Sequence, residues 1–190
     1  MSIIVHGPQG CGKTLAAALL KRTFRLEATW DDGNYVDLVA PPLYSKRSAR
    51  DAQSKRLPTI NPGSLYAWVR HHAADFKSAR VLFITCEEPP HDLRDSRRIV
   101  PFTDALQLAV KMGIRTYLAE WPRAQAIEAI TASSLLEAIG VVAHLRTKPL
   151  FNVVNQVMFE LGWSRVRLRA PGEPVTWAYR PATRTEAAHV

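Results

Sequence analysis

The chain has 190 residues, 47% of them hydrophobic, with 25 lysines and arginines against 17 acidic residues and a formal net charge of +8. That length allows one domain or two small ones with real cores, and the lack of any apolar run of roughly 18 residues argues against a membrane-spanning helix or a membrane partner. Two cysteines and no CxxC or HxxxH spacing argue against a disulfide framework and a structural metal site. With no room for a secretion signal before the first strand, the expectation is a cytoplasmic protein with reduced thiols. The basic balance favours polyanionic partners, nucleic acid first.

In chain order, Ile3, Ile4 and Val5 read as a short buried strand, and residues 15–20 read as a helix. Between them run Gly7, Pro8, Gln9, Gly10, Cys11, Gly12, Lys13 and Thr14, with the spacing of a Walker A phosphate-binding loop. Glycines at 7, 10 and 12 let successive backbone N–H groups turn toward an anion, where a Cβ would obstruct them. The following helix aims its positive end at the same place. Lys13 is positioned to reach the β- and γ-phosphates of ATP or another NTP, and the Thr14 hydroxyl to ligate Mg²⁺.

The helix is expected to reach about Arg25, with a turn at 30–34 and a second strand over 35–39. Residues 45–58 carry five basic side chains and one acid, and read as a solvated loop or one that touches nucleic acid. A helix over about 65–77 follows, with Leu65, Trp68, Val69 and Phe76 on its apolar face. The apolar run from Arg80 to Thr85 suits the centre of a parallel sheet covered on both faces. A helix over about 103–112 is expected to end at Gly113 as a C-cap. No apolar run ends directly in an acid that would help bind Mg²⁺ and activate water. Glu87 and Glu88 come two residues past the 81–84 strand, and Asp31, Asp32 and Asp37 are the other candidates.

Residues 81–85, a polar proline-containing loop, then Asp95, Ser96, Arg97 and Arg98 resemble the sensor-1 strand and arginine element of compact phage and mobile-element ATPases. The similar families are the virulence-associated-E group and, more distantly, superfamily 3 replicative helicases. The resemblance implies a DNA-replication setting, Thr85 as γ-phosphate sensor, and Arg97 or Arg98 as an arginine supplied to a neighbouring subunit, hence a homo-oligomer. Taken on residues alone, Arg97 and Arg98 read equally well as surface partners of Asp92 or Asp95.

Residues 122–130 read as a short helix, 134–137 as a capping box opening a second helix that Gly140 ends, and Thr147, Lys148 and Pro149 as the start of a third. In the third, Leu150, Val154, Val157 and Leu161 make the buried stripe, leaving Asn152, Asn155, Gln156 and Phe159 elsewhere on the wheel. Two alternating arms follow, around a turn at 170–174. Val166 and Leu168 are expected to face inward opposite Val175, Trp177 and Tyr179, with Arg165, Arg167 and Arg169 outside. Three helices and a hairpin is the order of a winged helix, and the run resembles the C-terminal winged helices of the same mobile-element proteins. In that fold Lys148, Asn152, Asn155 and Gln156 face DNA from the helix, and the three arginines contact it from the wing.

The sequence thus predicts an α/β P-loop NTPase domain at 1–118 with a parallel sheet and flanking helices, a winged helix at 119–183, and a frayed tail at 184–190. The function expected is that of an ATP-binding, ATP-hydrolysing, DNA-associated protein, with Lys13, Thr85, Glu87, Arg97 and Arg98 as catalytic residues. A nucleotide-dependent DNA-binding switch without hydrolysis and a small-molecule kinase are the alternatives.

Overall fold

In the computed structural model, all five residues of β4 (Val81–Thr85) are buried, as their unbroken apolar run predicts. The strand lies at the centre of a five-stranded sheet, between β2 (Ala28–Asp31) and β1 (Ile3–His6); β5 (Ile99–Pro101) follows β1 and β3 (Asn34–Tyr35) follows β2 at the edges. β2, β4, β1 and β5 are parallel, and β3 is antiparallel to β2. The structure describes residues 1–31, 34–35, 64–94, 96–120, 129–169 and 175–181, and divides into a unit of Met1–Leu106 and a unit of Gln107–Val190.

In the first unit, Phe83 gathers an aromatic cluster: Trp30, Trp68 and Phe76 have ring centroids 5.9, 5.9 and 5.7 Å from it. Trp68 and Phe76 come from α2 (Leu65–His71) and α3 (Ala73–Ser78), which with Ile4, Val81 and Ile99 complete this core. One helix is expected over 65–77; the structure breaks it at His72, whose ring stacks on Trp68. α1 (Lys13–Phe24) contacts β4 and β2 and buries Ala16, Ala17, Leu19 and Leu20. It ends as expected at Arg25, which takes the left-handed conformation of a cap.

One expectation changes here. Trp30 and Asp31 belong to β2, a strand in the place where the sequence suggests a turn, because Thr29 and Trp30 pair with Leu82 and Phe83. The strand expected over 35–39 lies outside the described residues beyond Tyr35, as does the basic run at 45–58.

The division between units falls inside α4 (Phe102–Glu120), which runs straight through Gly113. Gly113 is therefore no cap. A Cβ there would lie 3.4 Å from Ile139 atoms, in contact but not in collision. The second unit then forms β6 (Ile130–Thr131), α5 (Ala132–Ala138), a 3₁₀ turn at Ala143–Leu145, α6 (Lys148–Glu160), and the strands β7 (Trp163–Leu168) and β8 (Thr176–Pro181), in the order β6-β8-β7. The helix expected over 122–130 falls outside the described residues up to 128, and Ile130 is in a strand.

α5 begins three residues before the expected capping box: Thr131 is its cap, accepting from the Ser134 N–H at 3.1 Å. Gly140 follows its end at φ 88°, as predicted. In α6, Leu150, Val154 and Val157 are buried as expected. Leu161 is exposed as the helix cap, and Val153 and Met158 take its place in the core.

The hairpin register also differs from expectation. Arg165 pairs with Tyr179 and Arg167 with Trp177, while Val166 and Leu168 pair with Ala178 and Thr176. Directly opposed residues share a face, so the arginines lie with the aromatics. The expected turn at 170–174 lies outside the described residues.

A helical Gly113 makes a signed prediction. Gly113→Ala should stabilise the chain by up to about 1 kcal/mol, visible as a rise of several degrees in thermal melting, whereas a left-handed cap glycine would make the same change destabilising. Gly113→Leu should overpack against Ile139 and cost about 1–3 kcal/mol.

Candidate functional site

β1 passes directly into the loop at Gly7, and α1 leaves it at Lys13. Gly10 and Gly12 have φ of 76° and 94°, a region that L side chains rarely enter, so glycine is needed at both. Gly7 is crowded for a different reason: a Cβ there would stand 3.3 Å from the Phe102 Cβ, closer than most Cβ contacts. No side chain caps α1 at Gly12, and no acid lies in its first turn. The helix therefore keeps the positive end of its dipole toward the loop uncompensated by its own residues.

Lys13 is only 5% exposed. Its ammonium donates to the carbonyl oxygens of Gly7 and Pro8, both at 2.8 Å, and lies 3.7 Å from Cys11 Sγ and 3.5 Å from Cys86 Sγ. Next to it, the Thr14 hydroxyl donates to Asp31 Oδ2 at 2.7 Å. That contact depends on the sheet. Asp31 is in register with Ile84, and His6 with Thr85, so β2, β4 and β1 bring Asp31, Thr85 and His6 to one carboxyl edge. A hydroxyl and a carboxylate at hydrogen-bond distance are hard oxygen donors suited to Mg²⁺. No group of three His, Cys, Asp or Glu side chains that could hold a metal occurs among the described residues, so a cation here would draw its other ligands from phosphate and water.

The remaining expected residues of this unit divide in two. Thr85 is 1% exposed at the tip of β4, and its hydroxyl oxygen accepts from the Glu87 N–H at 3.0 Å. Glu87 follows on the same edge, but its carboxylate accepts from Ser64 at 2.8 Å and its carbonyl from the Tyr66 hydroxyl at 3.3 Å. Burial, then Glu87 and Glu88, push the Tyr66 pKa upward, keeping it a donor. Arg97 and Arg98 precede β5, at the amino edge of the sheet, opposite the loop; the Arg98 carbonyl accepts from Ile4 N–H at 2.7 Å. The suggested ion pairing to Asp92 does not form, because Asp92 is held by Arg70 through contacts of 2.6 and 3.1 Å; Asp95 is outside the described residues.

Sequence reasoning names Glu88 as a candidate acid but passes over His6 and Arg94. His6 is half-buried at the end of β1, within electrostatic reach of Glu88, Arg94 and Lys13, and Arg94 Nη2 lies 3.8 Å from Glu88. No spacing rule links these residues; only the register of β1 with β4 does.

In the second unit, the guanidinium carbons of Arg165 and Arg167 lie 4.2 and 5.1 Å from the centre of the Trp177 ring, which is 44% exposed. Arg169 is exposed just beyond β7. On α6, Lys148 and Asn152 are exposed. Asn155 is not available in the way expected, because its side-chain oxygen accepts from the Tyr179 hydroxyl. Gln156 donates to Glu160 at 2.9 Å, and Glu160 also accepts from Arg115. Phe159, 77% exposed, stands on the same side of the helix as Lys148 and Asn152.

No family model, curated protein or solved structure matches the chain. No helix among the described residues is long and apolar enough to cross a membrane.

The environment of His6 is testable by pH. Burial, with Arg94 and Lys13, lowers its pKa against the opposing pull of Glu88. The folded chain then holds fewer protons than the unfolded one below the ordinary value of 6.5, and stability should fall as the pH drops through that window. Equilibrium unfolding at stepped pH should show a shallower decline for His6→Asn than for the unmodified chain.

Proposed function

We propose that the chain is a P-loop NTPase that binds ATP and Mg²⁺ at Gly7–Thr14, hydrolyses the nucleotide, and associates with DNA through a winged-helix-like second unit. The observation that carries the nucleotide reading is the Thr14–Asp31 hydrogen bond at the edge of a glycine loop that closes on Lys13 and the start of α1. It supplies from β2 the acid that the sequence lacks at the end of an apolar run.

Lys13 moves from its own loop carbonyls onto the β- and γ-phosphates, while backbone N–H groups of the loop and the start of α1 receive the same anion. Thr14 and Asp31 would hold the cation, and Mg²⁺ there would supply neutralisation of phosphate charge. Thr85, fixed at the tip of the central strand, faces the terminal phosphate, and Glu87 orients the attacking water once its carboxylate leaves Ser64. Arg97 and Arg98 lie on the opposite edge of their own sheet, so they act on phosphate only if a neighbouring copy presents them. The engagement of Glu87 by Ser64 favours one second reading, a nucleotide-dependent switch without turnover.

The support for DNA binding is the hairpin. Arg165, Arg167 and Arg169 offer phosphate contacts, and the partly exposed Trp177 offers a ring on which a base can stack. Asn152 and Lys148 remain the helix residues best exposed to a duplex; Asn155 and Gln156 already have partners.

Phosphate release with and without DNA tests the catalytic claim. Lys13→Ala should reduce release to background, and Asp31→Asn should raise the Mg²⁺ concentration required by roughly tenfold or more. Nucleotide binding without phosphate release by the unmodified chain would leave the switch and remove the enzyme; phosphate transfer to a small acceptor, indifferent to DNA, would mark a kinase.

DNA affinity across a salt series tests the hairpin. Replacing Arg165, Arg167 and Arg169 together by Ala should weaken binding and flatten the log–log salt slope by up to about three. Trp177→Ala should weaken single-strand binding by about 1–3 kcal/mol while leaving that slope nearly unchanged. Unchanged affinity in the triple variant would remove the hairpin from the DNA interface.

A further inference from the structure

We propose that Cys11 and Cys86 form a reversible oxidation site, one that takes a low-molecular-weight disulfide such as oxidised glutathione and closes to an intramolecular Cys11–Cys86 bond. The two cysteines are far apart in sequence and no motif joins them. The fold brings both sulfurs to a single atom, the Lys13 ammonium, 3.7 Å from Cys11 Sγ and 3.5 Å from Cys86 Sγ. Cys11 belongs to the glycine loop, and its sulfur lies over Gly7, 3.5 Å from where a Cβ of that residue would stand. Cys86 is the first residue past β4 and is exposed; Cys11 is partly exposed. Both are free thiols.

The chemistry is two exchanges. The exposed Cys86 gives up its proton and attacks one sulfur of oxidised glutathione, forming a mixed disulfide and expelling one glutathione thiolate, which takes a proton. Cys11 then gives up its proton and attacks the Cys86 sulfur, forming the intramolecular bond and expelling the second glutathione. The protein loses two protons and two electrons, and one oxidised glutathione becomes two reduced molecules. Forming the bond brings the sulfurs to about 2.05 Å. It ties the middle of the glycine loop to the tip of β4, beside an ammonium already held by the Gly7 and Pro8 carbonyls. Lys13 is then kept on its own loop. The formation of the bond stands on the contacts alone; its consequence for nucleotide rests on the reading of the loop as an NTP site.

The test uses the full chain equilibrated in glutathione buffers of increasing oxidation, with free thiols trapped by alkylation. Digestion without reduction and mass spectrometry should recover a peptide pair joined through Cys11 and Cys86, lighter than the separate peptides by two hydrogens, and lost on addition of a reductant. Cys86→Ser should yield no such pair. Only glutathione adducts or disulfides between chains in the unmodified protein would overturn the proposal. Affinity for a fluorescent ATP analogue should fall at least tenfold on oxidation and return on reduction, while Cys86→Ser keeps its affinity in both buffers. A joined pair with unchanged affinity would overturn the effect on the loop. If the reduced chain binds no nucleotide, the NTP reading fails by itself. The oxidation site is then judged on the joined peptides and on slower acylation of Lys13 by an amine reagent in the oxidised chain.

Discussion

The common level at which β1, β4 and β2 end is the constraint on which the first unit depends. His6 opposite Thr85, and Asp31 opposite Ile84, place a loop, a strand tip and a carboxylate on one edge although they come from three separate stretches of chain. Register in a parallel sheet is fixed by buried side chains on both faces, and β4 buries every one of its residues. A slip of one residue would turn Phe83 out of its aromatic cluster and carry Asp31 away from Thr14 together. The packing of the core and the geometry of the edge are therefore one requirement.

What could be read from the sequence follows from how local each signal is. Gly7 to Thr14 is a contiguous stretch, and Gly10 and Gly12 within it take positive φ. β4 is legible because four apolar residues in a row leave few other places for it. The strand that carries Asp31 is not, although Asp31 is among the candidate acids, because Trp30, Asp31, Asp32, Gly33 and Asn34 have the composition of a turn, and four residues with a buried Thr29 become a strand only by pairing with β4. Gly113 fails for a similar reason. A glycine after an apolar run is compatible with a helix end or a close helix contact, and only the position of Ile139 decides. Thr131 and Ser134 could each cap a helix, and the first does.

The hairpin shows the same limit in a different form. Alternation specifies two faces but not which residues of the second arm share a face with those of the first, and a shift of one residue exchanges the two sets. With Arg167 opposite Trp177, an aromatic ring lies against two neighbouring cations on one strand. Each such contact contributes about 0.5–1 kcal/mol at an exposed site, enough to offset the repulsion between guanidiniums in water. β7 is also an edge strand of its sheet, where arginines discourage pairing with a second chain. Protection of the edge and the proposed attraction of a polyanion would use the same residues and are not alternatives.

Lys13 is only 5% exposed, so its ammonium gives up hydration worth several kcal/mol, which an ion pair with good geometry can return. The partners observed for Lys13 are two carbonyl oxygens and two sulfurs, none of them a carboxylate, while the carboxylate of Asp31 is turned to Thr14. Carbonyl dipoles satisfy the hydrogens of the ammonium but not its charge. The loop thus holds a cation, the start of a helix without an acidic cap and backbone bent by two left-handed glycines, all at one place. On the proposed reading a multiply charged anion would complete that electrostatic arrangement, and Asp31 on Thr14 would mark the side from which its counter-cation is held.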